Sequence, residues 1–536
     1  MNIDNLAEYF NWRCRQQPDS LAYAFVRDSL EISESLSHAE LQQQVNELAG
    51  QIAQQSQPGD RVLLVYPAGL DFVRAFWACV LSGRVAVPVP APDAARLQQQ
   101  LARLQAIIKD AQASLVLTHP ELLTQVETLN DEQDSAAAKW LATPIEPGAA
   151  TVAAAFTPPA LAADNIAYLQ YTSGSTSTPR GVIITHANAL AQCRTGSKAV
   201  GIGAQSRLLC WLPHFHDYGL VFGTLLPLYR GVPSYLMSPL TFLRRPLRWL
   251  EAVARFAITH TGAPNFAYAA CVKALAQQPD WHADLRSLIS SSCGAEPIHP
   301  DTPARFHAAF APHGLRPHCF APAYGMAETV LGVTATAPGT PVSVEVLDSE
   351  SLSRHEVHTS SSAAARRVVG CGVAFDETQL CIVDPQTRLP CAADRVGEIW
   401  VSGDSVGQGY WRQEQLSAEI FQARTADGQG PFLRTGDLGF LRGEQLFVCG
   451  RLKDLIIVSG RNHAPQDIEW TVQRCGPLLR AGYGAAFSIP TDDGEALVVV
   501  QEVERSAAEA DLPGLVRAIR RAVAEEHDLP DRKSVV

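Results

Sequence analysis

No run of about 18 uninterrupted apolar residues occurs in this 536-residue sequence, so no segment is expected to cross a bilayer as a helix. Paired cysteines are missing too. The 12 cysteines lie singly with no CxxC, which argues against a zinc site or a thioredoxin-like redox motif, and most are expected to be small buried hydrophobes. Cys371, Cys381 and Cys391 recur at ten-residue intervals, wider than the roughly two to four residues that separate paired metal ligands. Positive charge is short: 43 Lys and Arg face 55 Asp and Glu, a formal net charge of -12. Such a field repels polyanions, so nucleic acid is not an expected partner and a phosphate-bearing ligand needs a local positive site. The opening "MNIDNLAEYFNWRCRQQPDS" lacks a basic stretch followed by an apolar one, so no secretory signal is read there and the expected location is cytoplasmic. No internal repeat is visible. The low-complexity piece "EVHTSSSAAARR" at 356–367 reads as an exposed loop.

Composition is that of an ordinary globular chain, 46% hydrophobic and 18% charged. From Asp60 the sequence runs "RVLLVYPAG", "LDFVRAFWACVLSG", "RVAVPVP", with Leu70, Val73, Phe76, Trp77, Val80 and Leu81 at helical spacing. This predicts a strand, helix, strand unit. The pattern recurs in "SLVLTH", "RLLCWLP", "RPLRWLEAVARF", "AITHTGAP", "FAYAACVKALAQQ" and "LRSLISSSC", as a parallel, helix-covered sheet requires. After about residue 368 short strands take over in "QLCIVD", "GEIWVSG" and "FLRTGDLGFLRGEQLFVCG". The predicted class is α/β. A large N-terminal domain, about 1–450, holds parallel-type sheets with a β-rich subdomain at about 368–450, and a small α+β domain follows at 451–536.

One segment is unlike the rest. In "YLQYTSGSTSTPRGVIITH" a turn with six hydroxyl side chains lies between two runs fit for a sheet interior. Such composition often marks a flexible linker, but linkers do not join buried strands. Clustered backbone N–H groups, hydroxyls and Arg180 suit a phosphate cradle. It is not a Walker loop, because no GK[ST] follows at the required spacing.

"YTSGSTSTPRG" resembles the phosphate loop of the adenylate-forming superfamily. "SSSCGAEP", "AYGMAET", "RTGDLG" and "GRLKD" follow in that superfamily's order, so the resemblance runs across most of the chain. Within it, "WLPHFHDYGL", "TGAPNFAYAACV", "GAEPI" and "GRNHAPQDIE" look most like fatty acyl-AMP ligases, and the long segment at about 335–369 looks like their insertion.

The resemblance implies activation of a fatty acid with ATP and Mg²⁺, then transfer of the acyl group to the phosphopantetheine thiol of an acyl carrier protein. It also implies roles by position. Thr172, Ser173, Gly174, Ser175, Thr176 and Arg180 would hold phosphates, with Arg180 where lysine is more usual. Glu328 would hold Mg²⁺ and Thr329 would lie near the α-phosphate. Tyr324 and Gly325 would take one face of adenine, and Gly294, Ala295 and Glu296 the other. Asp437 and Arg451 would bind ribose, His216 would stand between phosphates and acyl group, and Lys453 would mark a hinge between the domains. Taken singly, Asp437 also fits a turn acid, Glu328 a solvated helix carboxylate, Tyr324 a core aromatic, His216 a satisfied histidine and Lys453 a surface lysine. His214 and Asp217 receive no role.

The superfamily also places a lysine in a turn near its C-terminus. The six lysines here, Lys109, Lys139, Lys198, Lys273, Lys453 and Lys533, lack that context. A shortened C-terminal domain and weakened adenylation are therefore expected, since one preorganised charge is worth about 10² to 10³ in rate. Two other functions stay open: a fatty acyl-CoA synthetase and a non-catalytic acyl-nucleotide binding protein. Phe222, Phe266 and Met237 read equally as pocket or core, so acyl chain length is not legible.

Overall fold

Helix Leu70–Leu81 forms between strands Arg61–Tyr66 and Val85–Pro90, as the spacing predicts. It is buried on nearly every face, which requires its one cation to be neutralised. Arg74, 2% exposed, is held by Asp71 at 2.9 Å, by Gln44 at 2.6 Å and by Glu34. The computed structural model describes residues 3–92, 97–129, 138–143, 156–172, 180–362, 365–458, 461–491, 494–504, 512–527 and 529.

Two sheets dominate. The six-stranded sheet runs Lys139–Ala142, Leu115–Thr118, Arg61–Tyr66, Val85–Pro90, Ile166–Thr172, Arg180–Thr185. Its pairs are parallel except the last, a hairpin whose connection is the hydroxyl-rich loop. The fourteen-stranded sheet begins at the edge strand Ile32–Ser37, which pairs antiparallel with Leu21–Val26, and from there continues in parallel through Ser234–Met237, Leu208–Cys210, His260–Ala263, Ser290–Cys293 and Phe320–Gly325. Beyond Phe320–Gly325 every pair is antiparallel: Gly332–Ala335, Arg366–Ala374, Gln445–Arg451, Leu433–Arg442, Gly397–Gly403, Thr378–Val383.

The short strands expected as a β-rich subdomain are thus hydrogen-bonded onto the parallel sheet. Sequence 336–366 adds strand Val344–Leu347 and helix Ser349–Ser353. The low-complexity piece is largely the exposed loop expected of it, with His358, Thr359, Ser361 and Ser362 exposed, but its ends are tied in. Val357 is buried with Leu347, Leu352, Phe440 and Phe447, Thr359 bridges to Leu347, and Arg366 and Arg367 open a strand. Val357 is the one large apolar side chain of this stretch.

From Ile456 on, a second core gathers Ile456, Ile468, Val472, Leu479, Ala486, Val499, Ile519, Val523 and Leu529. It lies between helices Pro465–Gln473 and Leu512–His527 and the hairpin Leu479–Thr491 with Gly494–Val503. This part touches the preceding part of the chain through Arg366 and Asp467 at 2.8 Å, the Asn462 amide donating to the Ser353 carbonyl at 3.1 Å, and His299 against Trp470 at 4.8 Å. Among the described residues no helix is long and apolar enough to cross a membrane. Most cysteines are buried, as small hydrophobes would be.

Candidate active site

Parallel pairing gives way to antiparallel at "AYGMAET". Strand Phe320–Gly325 ends, a 3-10 turn spans Ala327–Thr329, and Gly332–Ala335 returns beside it. Ligands of open α/β sheets bind outside such strand ends. Gly325 must be glycine, because a Cβ would lie 1.8 Å from the Leu331 carbonyl oxygen. The Met326 N–H donates to that same carbonyl at 2.8 Å and closes the turn. Glu328 then lines a cavity of about 910 Å³.

Tyr410 holds Glu328 there, its hydroxyl donating to Oε1 at 2.8 Å. The Arg180 guanidinium lies 5.5 Å from the centre of the Tyr410 ring. Burial raises the proton affinity of Glu328, the Tyr410 hydroxyl opposes this, and the charges of Asp217 and Asp437 add to it. A cation at this carboxylate would relieve that cost. Thr172 and Arg180, paired in register across the hairpin, both line the cavity. Ser173, Gly174, Ser175 and Thr176 lie outside the described residues. Thr329 is fully buried and its hydroxyl faces the carbonyls of Met326 at 3.0 Å and Leu331 at 3.3 Å. It is not among the residues lining the cavity, because the tight turn needs its hydroxyl.

Another part of the cavity wall is built from neighbouring strand ends. The Tyr324 hydroxyl donates to Asp437 Oδ2 at 2.8 Å, and Arg451 Nε lies 3.1 Å from Oδ1. Asp437 and Arg451 are register partners on adjacent strands, which fixes this pair. Asp437 is 5% exposed. Burial raises its proton affinity, and Arg451 and the Tyr324 hydroxyl pull it back. Gly294 and Ala295 line the cavity opposite Tyr324, with Ala295 at φ 67°. Glu296 does not line it, since its Oε1 accepts from the Phe266 N–H at 2.5 Å. Lys453 lies at the cavity's rim in the 3-10 turn Leu452–Asp454.

His216 lines the middle of the cavity with its Nδ1 2.5 Å from Asp217 Oδ1. The Tyr218 N–H is 3.3 Å from the same nitrogen but 2.6 Å from Asp217 Oδ1. Both contacts cannot use Nδ1 at once. The shorter one decides: Nδ1–H donates to Asp217, which accepts from both. Burial lowers the proton affinity of His216, but the hydrogen bond to Asp217 and its charge outweigh this and leave it raised. His214, by contrast, is pushed down to about 4 by burial. Gln170 also lines the cavity, its amide donating to the Phe215 carbonyl at 2.8 Å and its Oε1 buried without a partner among the described residues.

An apolar arm forms part of the same cavity. Phe222, Leu226, Val200, Leu331, Ala335 and Phe375 line it. Of the three residues whose setting the sequence leaves open, Phe222 is pocket, Met237 is buried away from the cavity lining, and Phe266 is 42% exposed. Asp217, Tyr410 and Gln170 are the contributors that motif reading misses. The nearest signals are adjacency of Asp217 to His216, the glycines before Tyr410 in "SGDSVGQGYW", and a glutamine inside the apolar run "IAYLQY".

One cavity lined by a carboxylate, a cation, a tyrosine and an aspartate together with a group of apolar side chains suits an acyl nucleotide. Residues 10–411 match the AMP-binding enzyme family. The medium-chain-fatty-acid–[acyl-carrier-protein] ligase JamA of Moorena producens (strain JHB) is 42% identical over 535 residues, 98% of this chain and 90% of that one. The long-chain-fatty-acid–AMP ligase FadD26 of Mycobacterium tuberculosis is 34% identical over 539 residues, covering 96% and 90%. The solved fatty acyl-adenylate ligase of L. pneumophila, in complex with acyl adenylate and pyrophosphate, superposes with a TM-score of 0.79 at 33% identity, covering 100% and 92%. This chain belongs to the AMP-binding enzyme family, the adenylate-forming ligases.

Proposed function

We propose that this protein activates a fatty acid with ATP as acyl-AMP and passes the acyl group to the phosphopantetheine thiol of an acyl carrier protein. In the first step a carboxylate oxygen bonds to the α-phosphorus, the bond to the bridging oxygen breaks, and pyrophosphate leaves with its electron pair. Two anions must meet, so the chain's task is positioning and charge neutralisation. Arg180, the backbone of the hydroxyl-rich loop and its hydroxyls bind the β- and γ-phosphates. Tyr324 stacks on adenine, and Asp437 with Arg451 takes the ribose hydroxyls. His216, whose proton affinity Asp217 raises against burial, directs its imidazole toward the approaching carboxylate.

Mg²⁺ fits Glu328. Glu328 would hold the ion as a single carboxylate, the kind of protein ligand that suffices for Mg²⁺ beside substrate phosphates. When bound, it supplies neutralisation of charge on the departing pyrophosphate. In the second step the pantetheine sulfur bonds to the acyl carbon, AMP leaves with the electron pair, and the thiol proton passes to water.

The observation that carries this reading is the convergence of Arg180, Glu328, Tyr324, Asp437 and His216 on one cavity with an apolar arm. Mass spectrometry of products from ATP, Mg²⁺ and a ladder of fatty acids, with holo carrier protein and CoA offered separately, tests it. Acyl-AMP and acyl-carrier protein are expected. Rapid acyl-CoA formation with no loading of the carrier would make the protein an acyl-CoA synthetase instead.

A further inference from the structure

The apolar arm contains one polar group that the proposed reaction does not use. Gln192 is 1% exposed and lines the cavity, and its Oε1 is buried without a hydrogen-bond partner among the described residues. It sits on helix His186–Ala199, where Gln192 and Gly196 share one face four residues apart, with Val200 capping the helix end. Two glycines leave room for it. A Cβ on Gly196 would lie 2.7 Å from Gln192 Nε2, and one on Gly332, from the strand across the arm, would lie 3.5 Å from the same atom and 2.7 Å from the Phe375 ring. The amide therefore occupies a constriction between helix and strand, against an aromatic edge.

A buried amide oxygen without a partner is costly, and a saturated hydrocarbon passing it offers none. An amide presents a donor end and an acceptor end. A keto oxygen on the chain would satisfy the donor alone. A hydroxyl satisfies both, donating to Oε1 and accepting from Nε2. Resting on the function proposed above, we infer that the preferred acyl substrate is a hydroxylated fatty acid whose chain hydroxyl meets Gln192 at the Gly196–Gly332 constriction. Gln192 is then the residue that reads the substituent. The bare hydrocarbon remains a poorer substrate, because it leaves the buried amide oxygen unpaired where a hydroxyl would pair it.

Saturated acids of fixed length, unsubstituted or bearing one hydroxyl at successive carbons, test this by kcat/KM for acyl-AMP formation. One hydroxyl position is expected to exceed the unsubstituted acid by about tenfold, the worth of one such hydrogen bond. Gln192→Leu should reverse the order, slowing that isomer and speeding the unsubstituted acid. Gly196→Ala, whose added methyl crowds Nε2, should flatten the preference by displacing the amide. Thermal melting of each variant shows whether it is folded. Calorimetric binding of the same acids reads the preference without turnover, so a protein that makes no acyl-AMP from any acid would sink the proposed function while the preference is still measured. No hydroxyl position better than the unsubstituted acid, or a preference untouched by both substitutions, would overturn the inference.

Discussion

Asp217 decides how far up the pH scale His216 stays a cation. Its carboxylate, 2.5 Å from Nδ1, raises the histidine above the ordinary value against the pull of burial. A histidine whose folded value is raised holds its charge, and the stability of its pair, below the ordinary value and loses both as pH rises through the raised one. The rate of acyl-AMP formation should therefore fall on the alkaline side as His216 deprotonates. Asp217→Asn, which still accepts from the Tyr218 N–H, should move that fall to lower pH in a kcat/KM profile. Glu328 and Tyr410 act together in the same way. Glu328→Gln removes the carboxylate offered to Mg²⁺ and should cost about 10² to 10³ in kcat. Tyr410→Phe removes the hydroxyl at 2.8 Å and should cost roughly tenfold, with a higher Mg²⁺ requirement in the same assay. Glu328, Tyr324, Asp437 and Arg451, each inside a short motif of the sequence, do line one cavity. Asp217 and Tyr410 were not legible in the sequence, since their meaning is a contact, and Tyr410 meets Glu328 across 82 residues of chain.

The element that aims Glu328 is the turn between strands Phe320–Gly325 and Gly332–Ala335. Gly325 permits it through the close approach of the Leu331 carbonyl. Gly325→Ala should lower stability by about 1 to 3 kcal/mol in a denaturant titration, the usual cost of overpacking a tight site, and should lower adenylation with it. A variant as stable and as active as the parent would show that the turn is not fixed by this contact. At this scale the sequence served well where periodicity speaks. The Leu70–Leu81 helix and its flanking strands fall where the spacing puts them. It served less well after Ala335, where the pairing of Gly332–Ala335 with Arg366–Ala374 joins strands some thirty residues apart. Such hydrogen bonds leave no trace in composition, so a continuous sheet reads as a separate β-rich part.

The whole molecule combines a large sheet, a six-stranded sheet and a C-terminal part with its own core. We propose that the C-terminal part moves as a unit about Lys453 between adenylation and acyl transfer, because the two steps need different groups at the acyl carbonyl. Arg366 ties it to the large sheet through Asp467, both partners about a fifth exposed. Removing the arginine strands a largely buried carboxylate whose proton affinity burial already raises. Arg366→Ala should cost about 3 kcal/mol, seen as faster amide exchange in helix Pro465–Gln473 with exchange in the parallel strands unchanged. Unaltered exchange in that helix would remove Arg366 as the tie.

Exchange of labelled pyrophosphate into ATP, driven by fatty acid, tests the central claim most directly. It requires the cleft around Glu328, Tyr324 and Asp437 to bring a carboxylate to the α-phosphorus and to release pyrophosphate reversibly. Exchange that depends on the acid and on Mg²⁺, and that falls in Glu328→Gln, is the predicted result. No exchange with any fatty acid, or exchange indifferent to Glu328, would contradict the account.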